Sequence, residues 1–244
     1  MKLFICLLLC LTDAVFAQTA DSLKTKKWAV GVTGSPDYCY QIPYTSKVSS
    51  GYTGTDTKAN NGITAGFNVV YKVSKRIGIE IAVLYSTKGI VAHMPPWITP
   101  GGTYDPSIPN GGGSTMEPEK RTAYKYQYLE VPLKINCYIL NRRFKVFPSL
   151  GVSANLFLGK KTATTVLDNA EIRKTTISHS YNSKNIPVVD AALLVGIGFS
   201  YDINRNVFIK LEPSYRQFLR PLVDAPVSGY LYSVGMNTGI YLRF

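Results

Sequence analysis

The sequence predicts an all-β fold: an eight-stranded antiparallel transmembrane β-barrel with short periplasmic turns and long extracellular loops. Three observations predict it. Apolar and polar residues alternate with a period of two through segment after segment from Trp28 onward. The connections between those segments alternate short and long, which is the plan of a barrel whose turns face the periplasm and whose loops face outward. Only 17% of the 244 residues are charged, below the roughly 25% of soluble globular proteins, so polar surface is scarce. After the first residues, no apolar run approaches the ~18 needed for a spanning helix, so a bilayer would have to be crossed by strands. The length excludes a large multidomain enzyme.

Residues 1–17 read as a secretory signal peptide, with Lys2, the apolar run Leu3 to Leu11, and Val15-Phe16-Ala17 before the cleavage point. A lipoprotein reading of Leu7-Leu8-Leu9-Cys10 lacks the small residue expected before the cysteine. The mature chain is expected to start at Gln18, with residues 18–27 a short N-terminal segment and residues 28–244 the outer-membrane barrel. Its net charge stays at +12, because Lys2 and Asp13 leave together.

Eight strands follow, each about nine residues or longer. Trp28, Val30 and Val32 mark the first; Ile63 to Val73 the second; Ile77 to Tyr85 the third; Leu129 to Ile139 the fourth. Val146 to Leu158, Val189 to Tyr201, Val207 to Tyr215 and Tyr232 to Phe244 complete the set. Ser74-Lys75-Arg76, Leu140 to Arg143 and Asn204-Arg205 are the tight turns, while residues 37–60, 92–122, 160–185 and 219–229 read as long loops. Ile, Val, Leu and Phe on one face of each strand are expected to meet lipid, and Gly, Ala, Ser, Asn and charged residues to face the lumen. Trp28, Tyr71, Tyr85, Tyr201, Tyr215 and Tyr241 supply interfacial aromatics. Closure is then required, since hydrocarbon offers an unpaired strand edge no partner.

Pro132, Pro148 and Pro213 fall inside strands, where each removes a ladder hydrogen bond, and local bulges are expected around Pro148 and Pro213. Cys39 and Cys137 map to opposite ends of the structure, so no disulfide is expected between them. The inward charges are Lys72, Glu80, Glu130, Lys134, Asp190, Lys210, Glu212 and Arg216. Six of them, Glu80, Glu130, Lys134, Lys210, Glu212 and Arg216, form a candidate lumen charge network, because an unpaired buried charge costs several kcal/mol and an eight-stranded lumen is just filled by side chains. Glu80 and Lys134 fall at similar depth, with Lys210 and Arg216 close to Glu130 and Glu212. The alternative is a wet lumen lined by solvated polar groups.

No enzyme is expected. His93 and His179 both map to long loops, Ser178-His179-Ser180 lacks the strand context of a lipid-hydrolase dyad, and no catalytic residue is assigned. Two distant His and two distant Cys make no metal cluster. Gly111-Gly112-Gly113 lacks the Lys-Ser/Thr of a phosphate loop, so no cofactor is expected. The basic residues at both rims, Lys160, Lys161, Arg173, Lys174 and Lys184 on one side and Lys75, Arg76, Arg142, Arg143 and Arg205 on the other, suit outer-membrane lipid and lipopolysaccharide phosphates. Nucleic acid is not an expected partner, since export separates the chain from it.

Phe244 ends the chain with Leu242 and Ile240 on its face. That pattern resembles the carboxy-terminal signal read by the outer-membrane assembly machinery. Tyr128-Leu129-Glu130-Val131-Pro132-Leu133-Lys134, Leu150-Gly151-Val152 and Val195-Gly196-Ile197-Gly198-Phe199 with Tyr201 resemble strands of the small outer-membrane barrels of Bacteroidota called the PorT family. The resemblance spans the mature chain and implies the barrel fold; its motifs describe architecture rather than activity. The family's named member takes part in secretion across the outer membrane. The leading expectation is a non-catalytic barrel that presents loops for surface interaction or supports envelope integrity. A component of a secretion or assembly complex, with other envelope proteins as partners, and a narrow pore are the alternatives.

Overall fold

A computed structural model describes residues 26–45, 56–94, 97–99, 115–117, 119–168, 171–180, 186–222 and 227–244. The signal peptide and most of the N-terminal segment lie outside the described residues, as do the triple glycine and Lys184. Twelve strands occur in chain order: β1 (Trp28–Thr45), β2 (Asp56–Lys72), β3 (Ile77–Met94), β4 (Trp97–Thr99), β5 (Thr115–Glu117), β6 (Glu119–Cys137), β7 (Leu140–Asn141), β8 (Phe144–Asp168), β9 (Glu171–Ser180), β10 (Val189–Asp202), β11 (Val207–Pro221) and β12 (Val227–Arg243). Among the described residues there is no helix.

Eight of these close a ring. β1 pairs with β2, β2 with β3, β3 with β6, β6 with β8, β8 with β10, β10 with β11, β11 with β12, and β12 returns to β1, all antiparallel. The two-residue β7 and the hairpin strand β9 hang on β8, giving ten strands in one sheet, and β4 and β5 pair separately. Both chain ends of the ring, Trp28 and Phe244, lie at the rim that carries the short turns, joined there by the Phe244 amide donating to the Trp28 carbonyl.

The turns are closed by side chains suited to that task. The Ser74 hydroxyl accepts from the Arg76 and Ile77 amides, and the Asn204 side chain accepts from the Asn206 and Val207 amides. The loops are shorter than the sequence suggested. β1 runs to Thr45, β3 to Met94, and β6 and β8 pair as far as Glu119↔Leu167, so much of residues 37–60, 92–122 and 160–185 is strand.

The alternation points outward as a membrane barrel requires. Phe67, Ile81, Val83, Leu133, Ile135, Val152, Val195 and Ile240 are exposed, while Glu80, Lys88, Glu130, Asn136 and Glu212 are buried. Trp28 meets Tyr71 with centroids 4.6 Å apart near the turn rim, and Tyr215 meets Tyr232 at 6.1 Å near the other, forming parts of two aromatic girdles. Tyr241 departs from the expected set: it points inward and stacks on Phe208 at 4.8 Å. Its neighbours Ile240 and Leu242 take the outward positions, so parity along β12 dictates the inward one for Tyr241.

The prolines are absorbed without the expected bulges. Between β3 and β6 the pairing stops after Ile81↔Leu133 and resumes at Leu84↔Glu130 in the same register, a gap at Pro132. Between β10 and β11 it stops after Gly196↔Ser214 and resumes at Phe199↔Leu211, a gap at Pro213. Each of these prolines keeps its pairing on the other side, with Ser153 and Met236 respectively, so only one ladder is interrupted each time. Pro148 stays paired with Ile197 and sits where the β6–β8 ladder ends. Cys39 is buried in the lumen toward the loop side and Cys137 lies at the turn end of β6; no disulfide joins them.

Candidate functional site in the barrel lumen

Period-two alternation brings one side chain from nearly every second residue into a closed cylinder, and glycines make the space. A Cβ on Gly198 would sit 2.2 Å from the Phe147 ring, and one on Gly235 would sit 2.1 Å from Asp37 Oδ1. Phe147 and Asp37 therefore each stand opposite a glycine in the pairing register.

The charges collect in two layers. In the layer nearer the turns, Lys210 Nζ lies 2.5 Å from both Glu80 Oε2 and Glu212 Oε2, and Lys134 Nζ lies 3.1 Å from Glu80 Oε1 and 3.0 Å from Glu212 Oε2. Two carboxylates and two ammonium groups thus alternate around a square of zero net charge. The remaining lone pairs are filled by Asn68, Asn136 and Ser149, which donate to the two glutamates at 2.7, 3.0 and 2.7 Å.

The second layer lies toward the loops. Lys88 Nζ is 2.6 Å from Asp37 Oδ2 and 3.4 Å from Glu130 Oε1, and Arg216 Nη1 is 3.1 Å from Glu130 Oε2 and 3.5 Å from Asp37 Oδ2. This is again two acids and two bases in alternation. Ser35 and Thr64 donate to Asp37 at 2.7 and 2.5 Å, and Arg216 Nη2 donates to Asn237 at 3.0 Å. Between the layers a cavity of about 10 Å³ is lined by Asn68, Lys134, Glu212, Arg216 and Asn237, far too small for a solute path.

The six residues read from the sequence are all here, but in two groups. Glu80 faces Lys134 across β3 and β6 in direct register. Lys210 serves Glu80 and Glu212, whereas Arg216 serves Glu130 with Asp37 and Lys88. Asp37 and Lys88 were absent from the sequence reading. The signal was present: Asp37 continues the inward series Gly31, Thr33, Ser35, and Lys88 continues Glu80, Ala82, Leu84, Ser86. Asp190 stands apart, its carboxylate accepting from the Ala191 amide, and Lys72 lies at the turn rim with Tyr138.

Apolar layers seal both ends. Toward the loops, Tyr126, Tyr128, Phe157, Phe218, Leu222 and Leu231 pack together. Toward the turns, Ala29, Val70, Phe208 and Tyr241 do the same. Outside the membrane, on the loop side, His93 Nε2 meets Glu119 Oε1 at 2.7 Å with Arg121 at 3.1 Å, and that His93 hydrogen bond holds the half-buried Glu119 carboxyl below its usual range. The outward side chains Lys125 and Lys161 lie directly opposite each other on β6 and β8, with His179 of β9 next in the row.

A closed ring with a polar, filled interior and an apolar exterior belongs to one class, the outer-membrane β-barrels. Residues 16–221 match the model of the outer membrane protein beta-barrel domain family, and the chain belongs to that family. It is an outer-membrane protein. Solved structures similar to it include Neisserial surface protein A, at 14% identity and TM-score 0.40 over 89% of this chain and 97% of that one. Another is the attachment invasion locus protein of Yersinia pestis, at 11% and 0.40 over 90% and 99%. The outer membrane protease OmpT of Escherichia coli is similar at 11% and 0.47 over 92% and 99%. No curated protein sequence matches the chain.

Proposed function

We propose that this protein is a non-conducting, non-catalytic surface barrel that presents a sheet beyond the outer leaflet, where it contacts anionic groups such as lipopolysaccharide phosphates. The observation that carries the reading is the run of β3, β6 and β8 past the outer girdle, still hydrogen-bonded to one another and capped by β9. A rigid extension of this kind is a platform for contacts. Lys125 beside Lys161 supports the anionic partner, since like charges directly opposite on a sheet repel unless an anion lies between them. The filled lumen argues against the pore.

The test is binding of purified lipopolysaccharide by the folded protein and by a Lys125→Ala/Lys161→Ala variant, together with planar-bilayer recording. Clearly weaker binding by the variant and no steady conductance are expected. Equal binding by both proteins, or a stable open channel, refutes the reading. The secretion-complex alternative draws on the PorT resemblance alone. Within the segment Tyr128 to Lys134, the inward Tyr128, Glu130, Pro132 and Lys134 are accounted for by lumen packing, and co-purification from mild detergent tests that alternative.

A further inference from the structure

The two buried quartets are neutral, but a third charged layer at the periplasmic mouth is not. There Lys72, Lys145 and Arg243 point toward the barrel axis around a single acid, Asp202, which pairs with Lys145 and lies 2.5 Å from Arg243 Nη2. Lys72 has Arg243 and Lys145 as like-charged neighbours and no salt bridge among the described residues. Arg243 Nε is buried and has no hydrogen-bond acceptor among the described residues. Lys26 and Lys27 from the start of the barrel complete the lining of a water-sized gap of about 10 Å³ with Tyr138 and Phe208, so an anion would meet these side chains from the solvent side, and Lys26 is held there by a 2.6 Å hydrogen bond to Asn206. Five cations and no carboxylate line this cavity. The turns around it add Lys75, Arg76, Arg142, Arg143 and Arg205, and no acid.

A partly enclosed set of cations with one counter-charge carries an uncompensated repulsion. Where the deeper layers cancel theirs with a second carboxylate, this one has no second side-chain carboxylate among the described residues. We infer that the periplasmic mouth is an oxyanion site, in which a phosphate or carboxylate group entering from the periplasm takes the place of the missing acid between Lys72 and Arg243. The planar guanidinium of Arg243 is held over the Phe208 ring at 4.2 Å, which fixes its orientation, and Lys72 adds a mobile point charge. The inward aim of these groups suits a group carried on a water-borne molecule or on a headgroup that reaches around the rim.

The experiment uses the mature protein folded in phosphatidylcholine nanodiscs, with inorganic phosphate as probe at constant ionic strength. The side-chain Nε–H resonance of Arg243 and the amides of Ala29 and Phe208 are followed by NMR. A saturable shift with phosphate, absent with chloride, is expected. Lys72→Gln, which breaks no salt bridge, should weaken it by about tenfold, equivalent to 1.4 kcal/mol. Asp202→Asn removes the competing acid and should tighten it, a change in the direction opposite to structural damage. Nanodiscs containing phosphatidylglycerol form a second arm: a shift of the same resonances without added phosphate assigns the group to a lipid headgroup, and a shift only with phosphate assigns it to a soluble donor. No saturable shift in either arm, or a shift unchanged by Lys72→Gln, overturns the proposal.

Discussion

Lys210 is the most exacting place to test whether the lumen charges act as a unit. Its side chain is 5% exposed, and its ammonium stands 2.5 Å from two carboxylates that are themselves buried. Replacing it in Lys210→Met leaves Glu80 and Glu212 sharing one cation, Lys134, so the layer carries a net negative charge out of reach of water. Removing one partner of a buried ion pair typically costs about 3–5 kcal/mol, because the group left behind stays desolvated. Glu80→Gln alone creates the converse imbalance and should cost a similar amount. The double variant Lys210→Met/Glu80→Gln restores neutrality with Lys134 and Glu212 still 3.0 Å apart, and its cost should fall below the sum of the two single costs by about 0.5–3 kcal/mol. Reversible urea unfolding in lipid or detergent, followed by tryptophan fluorescence and by heat-modifiable gel mobility, measures all three. Additive costs, or a Lys210→Met variant within 0.5 kcal/mol of wild type, would show that the layer is solvated and that the ion square contributes no coupling.

Gly198→Ala places a methyl group 2.2 Å from the Phe147 ring and should destabilise the barrel by about 1–3 kcal/mol in the same unfolding assay, with partial recovery in Gly198→Ala/Phe147→Leu. His93→Ala removes the hydrogen bond that lowers the Glu119 pKa, so the carboxyl should titrate closer to its ordinary 4.5 in an NMR titration of its side-chain carbon. The sign follows: a depressed carboxyl pKa means that the contact is complete above the unfolded-state value and is lost as pH falls through the folded-state one. Deleting Phe244, which is 64% exposed on the outer face beyond Ile240 and Leu242, should reduce the amount assembled in the outer membrane while leaving refolding of the purified chain intact; equal assembly would remove these residues as a recognition signal.

The order of the ring and the direction of its faces could be read from the chain because lipid and lumen impose opposite chemistry on alternate residues. Ile81 and Glu80 could not exchange places without exposing a charge to hydrocarbon. That constraint ends where the strands leave the membrane. From Thr122 to Lys125 and from Lys161 to Thr165 both faces are wet, the alternation of apolar and polar residues disappears, and the hydrogen-bonded ladder continues without a sequence signal. The inward series was ended short of Asp37 and Lys88 although the alternation reaches both, so half of the second quartet was missed. Tyr241 was misread for a different reason: tyrosine suits both an interfacial girdle and a filled lumen, and only its parity with Ile240 and Leu242 distinguishes the two.

The layers give the lumen a logic that single residues do not. A narrow barrel cannot hold an apolar core of ordinary thickness, since its exterior already takes most of the chain's Ile, Val and Leu, so the interior is stabilised by pairing rather than by exclusion of polar groups. Pairing in a ring works when acids and bases alternate, and the eight strands supply them from different neighbours: β3, β6 and β11 for the first square, β1, β3, β6 and β11 for the second. Each square ties together strands that do not hydrogen-bond to one another, such as β3 with β11, and so braces the cylinder across its diameter where the backbone ladder acts only around its circumference. Neutrality in those two layers is what makes the +2 imbalance of Lys72, Lys145, Arg243 and Asp202 at the mouth informative. Charge that is balanced in the interior and unbalanced only where water and solutes arrive is placed to meet an anion there.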